Sequence, residues 1–188
     1  KKFRTKRKTA RTLIFLLFDH WGGLNTLFHV LSCGGTVVIA DDKNPTTICR
    51  LIDNHRVELL PVSPSFLNLL LISEAYKNYN CSSVKILSYG SEPMPSSTLD
   101  RINSIFPKAK IQQTYGLIEL GVLNSRSENN NSLWIEVGGD GFETRILDGM
   151  LQIRAESAML GYLNSESPFT DDGWFITGDL VDQKGKYI

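Results

Sequence analysis

The fold class is indicated most clearly by the segment "TVVIADDKNPTTICRLIDNHRVELLPV" (residues 36–62). Its two ends, "TVVIA" and "VELLPV", are short and apolar, as buried strands are. Between them, "NPTTICRLIDNHR" predicts a helix, because Pro45 stands at its start and Ile48, Leu51 and Ile52 share one face. A strand, a helix and a strand in this order predict two parallel strands joined by a helical crossover.

The same alternation continues on both sides of this unit. Ser63 and Pro64 suit the N-cap and the first position of a helix. The other segments of this kind are "TLIFLLF" (12–18), "GLNTLFHVLSCGG" (23–35), "VKILSYG" (84–90), "SSTLDRINSIF" (96–106) and "KIQQTYG" (110–116). We therefore expect an α/β fold, with a mostly parallel sheet covered by helices. In such a sheet the turns after the strands open at one edge, where ligands bind.

The last third of the chain has a different pattern. From "SLWIEVGG" (132–139) onward, short β-like pieces are broken by glycine, and "LDG" and "DDG" suit hairpin turns. This pattern predicts a small β-rich, barrel-like subdomain. We expect an α/β subdomain at 1–124, a polar linker or loop at 125–132 ("SRSENNNS") and the β-rich subdomain at 133–188.

Composition and charge exclude few partners. Twenty Lys and Arg balance twenty Asp and Glu, and the basic run "KKFRTKRKTAR" (1–11) predicts either a solvated segment or an anion-binding arm. The cysteines, Cys33, Cys49 and Cys81, form no Cys-x-x-Cys pair, which argues against a metal site and favours a reducing compartment. "TLIFLLF" is too short to span a bilayer. We expect no membrane span, no nucleic-acid partner and a cytoplasmic location.

The stretch "QQTYGLIEL" (112–120) interrupts apolar residues with groups that can bind a nucleotide. Tyr115 has a flat ring that can stack on a base, and Gly116 lets the backbone pass close to a ligand. Glu119 offers a hard oxygen of the kind that Mg²⁺ prefers beside phosphates. The alternative is that Tyr115 belongs to the core and Glu119 is a solvated residue.

Two further stretches carry candidate groups. Asp179, in "TGDL", stands on a glycine turn where a carboxylate can accept hydrogen bonds from a ribose diol, or it is an ordinary turn residue. His20 follows a strand and precedes Gly22 and Gly23, which suits a packed turn or the wall of an acyl pocket. No serine or cysteine partner makes His20 part of a triad. No Gly-x-Gly-x-x-Gly follows the first strand, which argues against an oxidoreductase of the dinucleotide-binding type.

Five motifs together resemble the adenylate-forming acid ligases, a family that includes acyl- and aryl-CoA synthetases, luciferases and the adenylation domains of peptide synthetases. "QTYGLIE" resembles the family's Tyr-Gly-x-Thr-Glu, and "DDGWFITGDL" resembles its Gly-Trp-(x)-x-Thr-Gly-Asp. "GMLQIRAESAMLGYLNSE" is similar to the Gly-Glu-Leu strand and the Gly-Tyr that follows it. "FDHWGGLNTLFHVLSCGGTVV" and "VKILSYGSEPMP" resemble the pocket helix and the turn that borders adenine.

The resemblance implies a role for each matching residue. Tyr115 would stack on adenine beside Gly116, Glu119 would bind Mg²⁺, and Asp179 would bind the ribose hydroxyls. The residues that match the adenine-side turn are Gly90, Ser91, Glu92 and Pro93. The residues that match the carboxylate-substrate pocket are His20, Gly22 and Gly23.

Two departures and two missing parts set limits on this resemblance. The family threonine that contacts the α-phosphate is Ile118 here, so that contact would come from the backbone or from Thr114. The glutamate of Gly-Glu-Leu is replaced by Met150. The family's phosphate loop and its C-terminal lid, which carries a catalytic lysine, have no match in the 188 residues. We therefore expect this chain to be a central part of a longer enzyme and to have little or no catalytic activity alone.

The activity implied by the resemblance is acid activation. With Mg²⁺ present, ATP and a small carboxylic acid would give an acyl-adenylate. We expect the acid to be apolar, either acyl or aryl. The acyl group would then pass to a thiol, that of CoA or of the phosphopantetheine on an acyl carrier protein. The alternative, which Ile118 favours, is a non-catalytic binding or interaction domain that retains the fold.

Overall fold

The computed structural model describes residues 10–188 of the chain. The basic run predicted as an arm or solvated segment therefore lies almost wholly outside the described residues. The helices are α1 (Trp21–Ser32), α2 (Pro45–His55), α3 (Pro64–Ser73) and α4 (Ser96–Ile105), with a 3₁₀ turn at Ala75–Lys77. The strands are β1 (Arg11–Ile14), β2 (Thr36–Ile39), β3 (Leu59–Val62), β4 (Ile86–Tyr89), β5 (Lys110–Gln113), β6 (Gly116–Leu117), β7 (Gly121–Val122), β8 (Asn124–Ser127), β9 (Ile135–Gly138), β10 (Phe142–Leu147), β11 (Met150–Ala155) and β12 (Phe175–Leu180).

The first five strands form one parallel sheet in the order β2-β1-β3-β4-β5. Helices α2, α3 and α4 contact one another in sequence and share one face, while α1 packs on β1 and β2. Because β2 lies on the opposite side of β1 from β3, right-handed crossovers place α1 on the other face. The predicted α/β sheet covered by helices is confirmed. All five strands end at one edge, so the turns after β4 and β5 are neighbours.

The helices begin where the sequence predicts. The side chain of Asn44 accepts a hydrogen bond from the Thr46 amide at 2.9 Å, and Pro45 follows as the first residue of α2. The hydroxyl of Ser63 accepts from the Phe66 amide at 3.2 Å, which caps α3. Each cap satisfies an amide that the helix itself leaves without a partner.

The main core lies between the parallel sheet and its helices. The side chains of Leu60 and Leu87 on the strands and of Ile52, Leu67 and Leu99 on the helices are almost completely removed from solvent. Burial of each such side chain stabilises the fold by about 1.5–3 kcal/mol. This core holds the turns after β4 and β5 in fixed relative positions.

The last third of the chain is an antiparallel β-rich region. Strands β10, β11 and β12 form one sheet, over a second core cluster that includes Leu120, Leu151 and Phe175. Asp148 and Gly149 join β10 to β11 with φ values of 50° and 77°. Two consecutive residues with positive φ are the signature of a tight hairpin turn, which confirms the hairpin predicted at "LDG".

The stretch predicted as a polar linker, residues 125–132, begins instead as a strand. β8 pairs with β9 in an antiparallel ladder. Its serine hydroxyls also accept hydrogen bonds from the backbone at the end of β5: the Gln113 amide donates to Ser127 Oγ at 2.9 Å, and the Tyr115 amide donates to Ser125 Oγ at 3.1 Å. The strand is polar because its side chains bond to the end of β5, so polarity misled the prediction at residues 125–127. Residues 128–131 form a bend and a turn, as expected of a loop. Across residues 10–188 no helix is long and apolar enough to cross a membrane.

Candidate functional site

The turns after β4 and β5 touch at the carboxyl edge of the sheet. The Thr114 amide donates to the Tyr89 carbonyl at 2.7 Å, and the Thr114 hydroxyl donates to the same oxygen at 3.0 Å. A Cβ at Gly90 would lie 2.6 Å from Thr114 Oγ1 and 2.7 Å from Thr114 O. Only glycine therefore fits at position 90 without displacing Thr114. Donation by the Thr114 hydroxyl to a phosphate would require it to leave Tyr89.

The next residues of this turn are fastened to helix α3. Ser91 has a φ of 73°, so the chain reverses sharply there. The Glu92 carboxylate accepts hydrogen bonds from the Ser65 amide at 3.1 Å and from the Ser65 hydroxyl at 2.5 Å. A carboxylate at a helix N-terminus is favoured by the helix dipole. Glu92 thus holds the turn in place, while Pro93 continues along the same wall.

Tyr115 joins the parallel sheet to the β-rich region. Its ring is half-buried, and its hydroxyl donates a hydrogen bond to the carboxylate of Asp179 on β12. Burial, and then the bond to Asp179, raises the pKa of the Tyr115 phenol well above its ordinary value. Asp179 follows Gly178, which has a φ of 80°, and its amide donates to the Thr177 hydroxyl at 3.0 Å. The tyrosine ring and the carboxylate are therefore held next to each other.

These residues surround one cleft of about 620 Å³. It lies in the size range of small-molecule sites. The predicted site residues that line it are Gly90, Ser91, Glu92, Pro93, Thr114, Tyr115, Gly116 and Asp179. The structure therefore brings together eight residues that the sequence places in three separate segments.

Sequence reasoning missed the opposite wall of the cleft. It includes Trp134, Ile135, Val181 and Ile188, all from the β-rich region. The available signal was the aromatic and aliphatic run "LWI" directly after the polar stretch, which we interpreted only as a strand. Lys184 Nζ lies 5.9 Å from the centre of the Trp134 ring. The cleft is thus lined both by these apolar side chains and by the Asp179 carboxylate.

Glu119 does not line this cleft. It lies in the turn between β6 and β7, a hairpin that needs Gly116, because a Cβ there would lie 2.8 Å from Gly121 O. Glu119 Oε1 accepts a hydrogen bond from the Tyr162 hydroxyl at 2.7 Å. Among the described residues no three His, Cys, Asp or Glu side chains cluster as a metal site. A single accessible carboxylate nevertheless fits Mg²⁺ that is held mainly by substrate phosphates.

The predicted substrate-pocket residues lie apart from the cleft. His20 is the N-cap of α1, where its Nδ1 accepts from the Gly22 amide at 3.1 Å. A Cβ at Gly23 would lie 2.1 Å from the Leu17 carbonyl oxygen, so this glycine allows the helix to approach the chain before it. These contacts are those of a packed turn, and the acyl-pocket role stays a prediction. Ile118, at the family threonine position, is 64% exposed.

The sequence matches a known family over most of its length. The family described as AMP-binding enzyme matches residues 1–162. The chain belongs to the AMP-binding enzyme family. This membership confirms the resemblance to adenylate-forming ligases that the five motifs indicate.

Individual relatives agree with this assignment. The chain is 27% identical to 4-coumarate–CoA ligase 1 of Glycine max over 168 residues, which are 77% of this chain and 57% of the relative. It is 27% identical over 187 residues to 4-coumarate–CoA ligase of Pinus taeda, covering 87% of this chain and 35% of that protein. The chain thus spans from about a third to somewhat over half of the length of these relatives.

Solved structures confirm the fold. The amide bond synthetase McbA from Marinactinospora thermotolerans superimposes with a TM-score of 0.80 at 23% identity, covering 96% of this chain and 40% of that structure. The parallel sheet with its β-rich region is therefore the architecture of adenylate-forming enzymes.

Proposed function

We propose that this chain is the nucleotide-binding part of an ATP-dependent ligase that activates a small carboxylic acid and passes the acyl group to a thiol. The acceptor would be CoA or the phosphopantetheine of an acyl carrier protein. The acid would be an apolar one, with either an acyl or an aryl group. The enzyme would work in the cytoplasm. Three free, buried cysteines suit that reducing compartment.

One observation carries the proposal. Residues from the turns after β4 and β5 and from β12 converge on a single cleft of about 620 Å³. The cleft offers what a nucleoside needs: the Tyr115 ring as a stacking surface, and the Asp179 carboxylate as an acceptor for two hydroxyls. Asp179 already accepts a phenolic hydroxyl from Tyr115, which supports its ability to accept hydroxyl donors.

The proposed reaction has two steps. In the first, a carboxylate oxygen of the acid bonds to the α-phosphorus of ATP, and the bond from that phosphorus to pyrophosphate breaks. In the second, the sulfur of the thiol bonds to the acyl carbon, AMP leaves with the electron pair, and the thiol proton passes to solvent. This chain would contribute by orienting the nucleoside between Tyr115 and Asp179.

Glu119 is the residue that would hold Mg²⁺. When bound, the ion would neutralise charge on the phosphate oxygens. The role of the chain is to present the Glu119 carboxylate from the short β6–β7 hairpin, whose position is fixed by its contacts with residues 157–162. We expect the 188 residues alone to bind nucleotide and to turn over feebly.

A second function, a non-catalytic adenylate-binding domain, is favoured by Ile118. Its side chain is 64% exposed at the position where the family has a phosphate-contacting hydroxyl. A domain of this kind would bind nucleotide without activating an acid. Acid-dependent exchange of labelled pyrophosphate into ATP, measured on the full-length protein, separates the two functions, since only the ligase catalyses it.

The experiment that tests the proposed site compares AMP with 2′-deoxy-AMP by calorimetry. We expect the native chain to bind AMP more tightly, because Asp179 accepts from the 2′-hydroxyl. Asp179→Ala, which removes the acceptor oxygens, should abolish most of this preference. Asp171→Ala, at an exposed acid in the "DDG" turn, should keep it. Equal affinities for the two nucleotides in the native chain would contradict the assignment of Asp179.

A further inference from the structure

The turn that carries Glu119 is held by one later segment, residues 157–162. The Met159 amide donates to the Glu119 carbonyl at 2.7 Å. The Ser157 hydroxyl donates to the Leu120 carbonyl at 2.6 Å. The Tyr162 hydroxyl donates to Glu119 Oε1 at 2.7 Å. Two of these bonds fix the backbone of the turn, and only the third acts on the carboxylate itself.

Stability does not account for the Tyr162 contact. Tyr162 is 45% exposed, and its neighbours Leu160 and Leu163 lie fully in solvent. A hydrogen bond to a carboxylate at such an exposed position adds little to folding, because water offers both groups equivalent partners. The contact does, however, act on the orientation of Glu119, because it holds Oε1 at the Tyr162 hydroxyl.

We propose that Tyr162 is a positioning residue, which orients the Glu119 carboxylate toward a divalent cation carried by the nucleotide phosphates. The inference rests on the proposed function. A phenol suits this role, because it donates a hydrogen bond without bringing a positive charge that would compete with the cation. Groups that hydrogen-bond to a metal-ligating carboxylate commonly account for about 10–100-fold in metal affinity.

The test measures the contribution of the cation to nucleotide binding. The dissociation constant of ATP is determined by calorimetry in EDTA and in Mn²⁺. The value in EDTA divided by the value in Mn²⁺ gives the factor by which the cation tightens binding, and this ratio is compared among variants. We expect Tyr162→Phe to lower this ratio about tenfold. The dissociation constant in EDTA and the melting temperature should not change. Tyr76→Phe, in the 3₁₀ turn at the opposite edge of the sheet, is the matched control and should keep the native ratio.

A double-mutant cycle separates positioning from a structural role. If Tyr162 acts through Glu119, then Tyr162→Phe should have no further effect on the ratio in a Glu119→Gln background. A native ratio in Tyr162→Phe, an equal effect in both backgrounds, or weaker binding in EDTA would overturn this inference alone. Failure of the native chain to bind ATP in either condition would overturn the proposed function and this inference with it.

Discussion

Replacement of Gly90 by alanine tests the close contact on which the cleft is built. The new Cβ would lie 2.6 Å from Thr114 Oγ1 and 2.7 Å from Thr114 O. The hydroxyl can rotate away only by giving up its 3.0 Å bond to the Tyr89 carbonyl. The Thr114 carbonyl is held as well, because the Tyr115 amide of the same peptide group donates to Ser125 Oγ at 3.1 Å. The two turns must therefore move apart.

The expected size of the effect follows from three terms. Overpacking costs about 1–3 kcal/mol, and a weakened hydrogen bond costs about 0.5–1.5 kcal/mol. Alanine restricts the unfolded chain, which offsets about 0.4–1 kcal/mol. We expect Gly90→Ala to lower the free energy of unfolding by about 0.5–4 kcal/mol, with a central value of about 2 kcal/mol.

Urea unfolding followed by tryptophan fluorescence measures this difference. The matched control is Gly22→Ala, which makes the same chemical change in the first turn of α1. Its Cβ would lie 3.3 Å from His20 Nδ1, the end of a side chain that can shift by a few tenths of an ångström and keep its bond to the Gly22 amide, so the stability should be unchanged or rise by up to about 1 kcal/mol. If Gly90→Ala were as stable as Gly22→Ala, the close approach of the two turns would be refuted.

Two further predictions concern the sheet. Glu58 accepts from the Arg11 amide at 3.2 Å and from Lys85 Nζ at 2.5 Å, and the Lys85 bond lowers the pKa of the Glu58 carboxyl. Glu58→Gln should cost about 1 kcal/mol at neutral pH, since the Lys85 side chain is exposed. This difference is present above the ordinary carboxyl pKa of about 4.3 and should disappear as the pH falls through the lower pKa of the folded state, which urea titrations over a pH series would reveal. Leu87→Ala, at a fully buried site, should cost about 2–5 kcal/mol in the same assay. The exposed Leu69→Ala should change stability by less than about 0.5 kcal/mol, and equal losses would contradict the assigned core.

The parallel sheet could be predicted because local and tertiary signals agree there. The strands are short apolar runs, and the helices carry their own start signals at Asn44 and Ser63, which the structure confirms as caps. Likewise, Asp148 and Gly149 identify their hairpin from residue type alone, because the turn needs a positive φ at both positions and these two residue types tolerate it. Each of these features depends on a few neighbouring residues.

The features that sequence reasoning missed depend on contacts between distant residues. β8 is polar because Ser125 and Ser127 bond to the end of β5, which no periodicity of the strand reveals. The bond between Tyr115 and Asp179 joins residues 64 positions apart. The wall that contains Trp134 belongs to the cleft only because the β-rich region packs against the same edge of the sheet.

Calorimetry with a non-hydrolysable acyl-AMP mimic and Mg²⁺ would show directly whether the cleft holds an adenylate. We predict saturable binding that Tyr115→Ala weakens by about 5–150-fold, as expected for 1–3 kcal/mol of base stacking. Tyr115→Phe, which keeps the ring and loses only the bond to Asp179, should bind far more tightly than Tyr115→Ala. Equal affinity of the native chain and Tyr115→Ala would contradict the account.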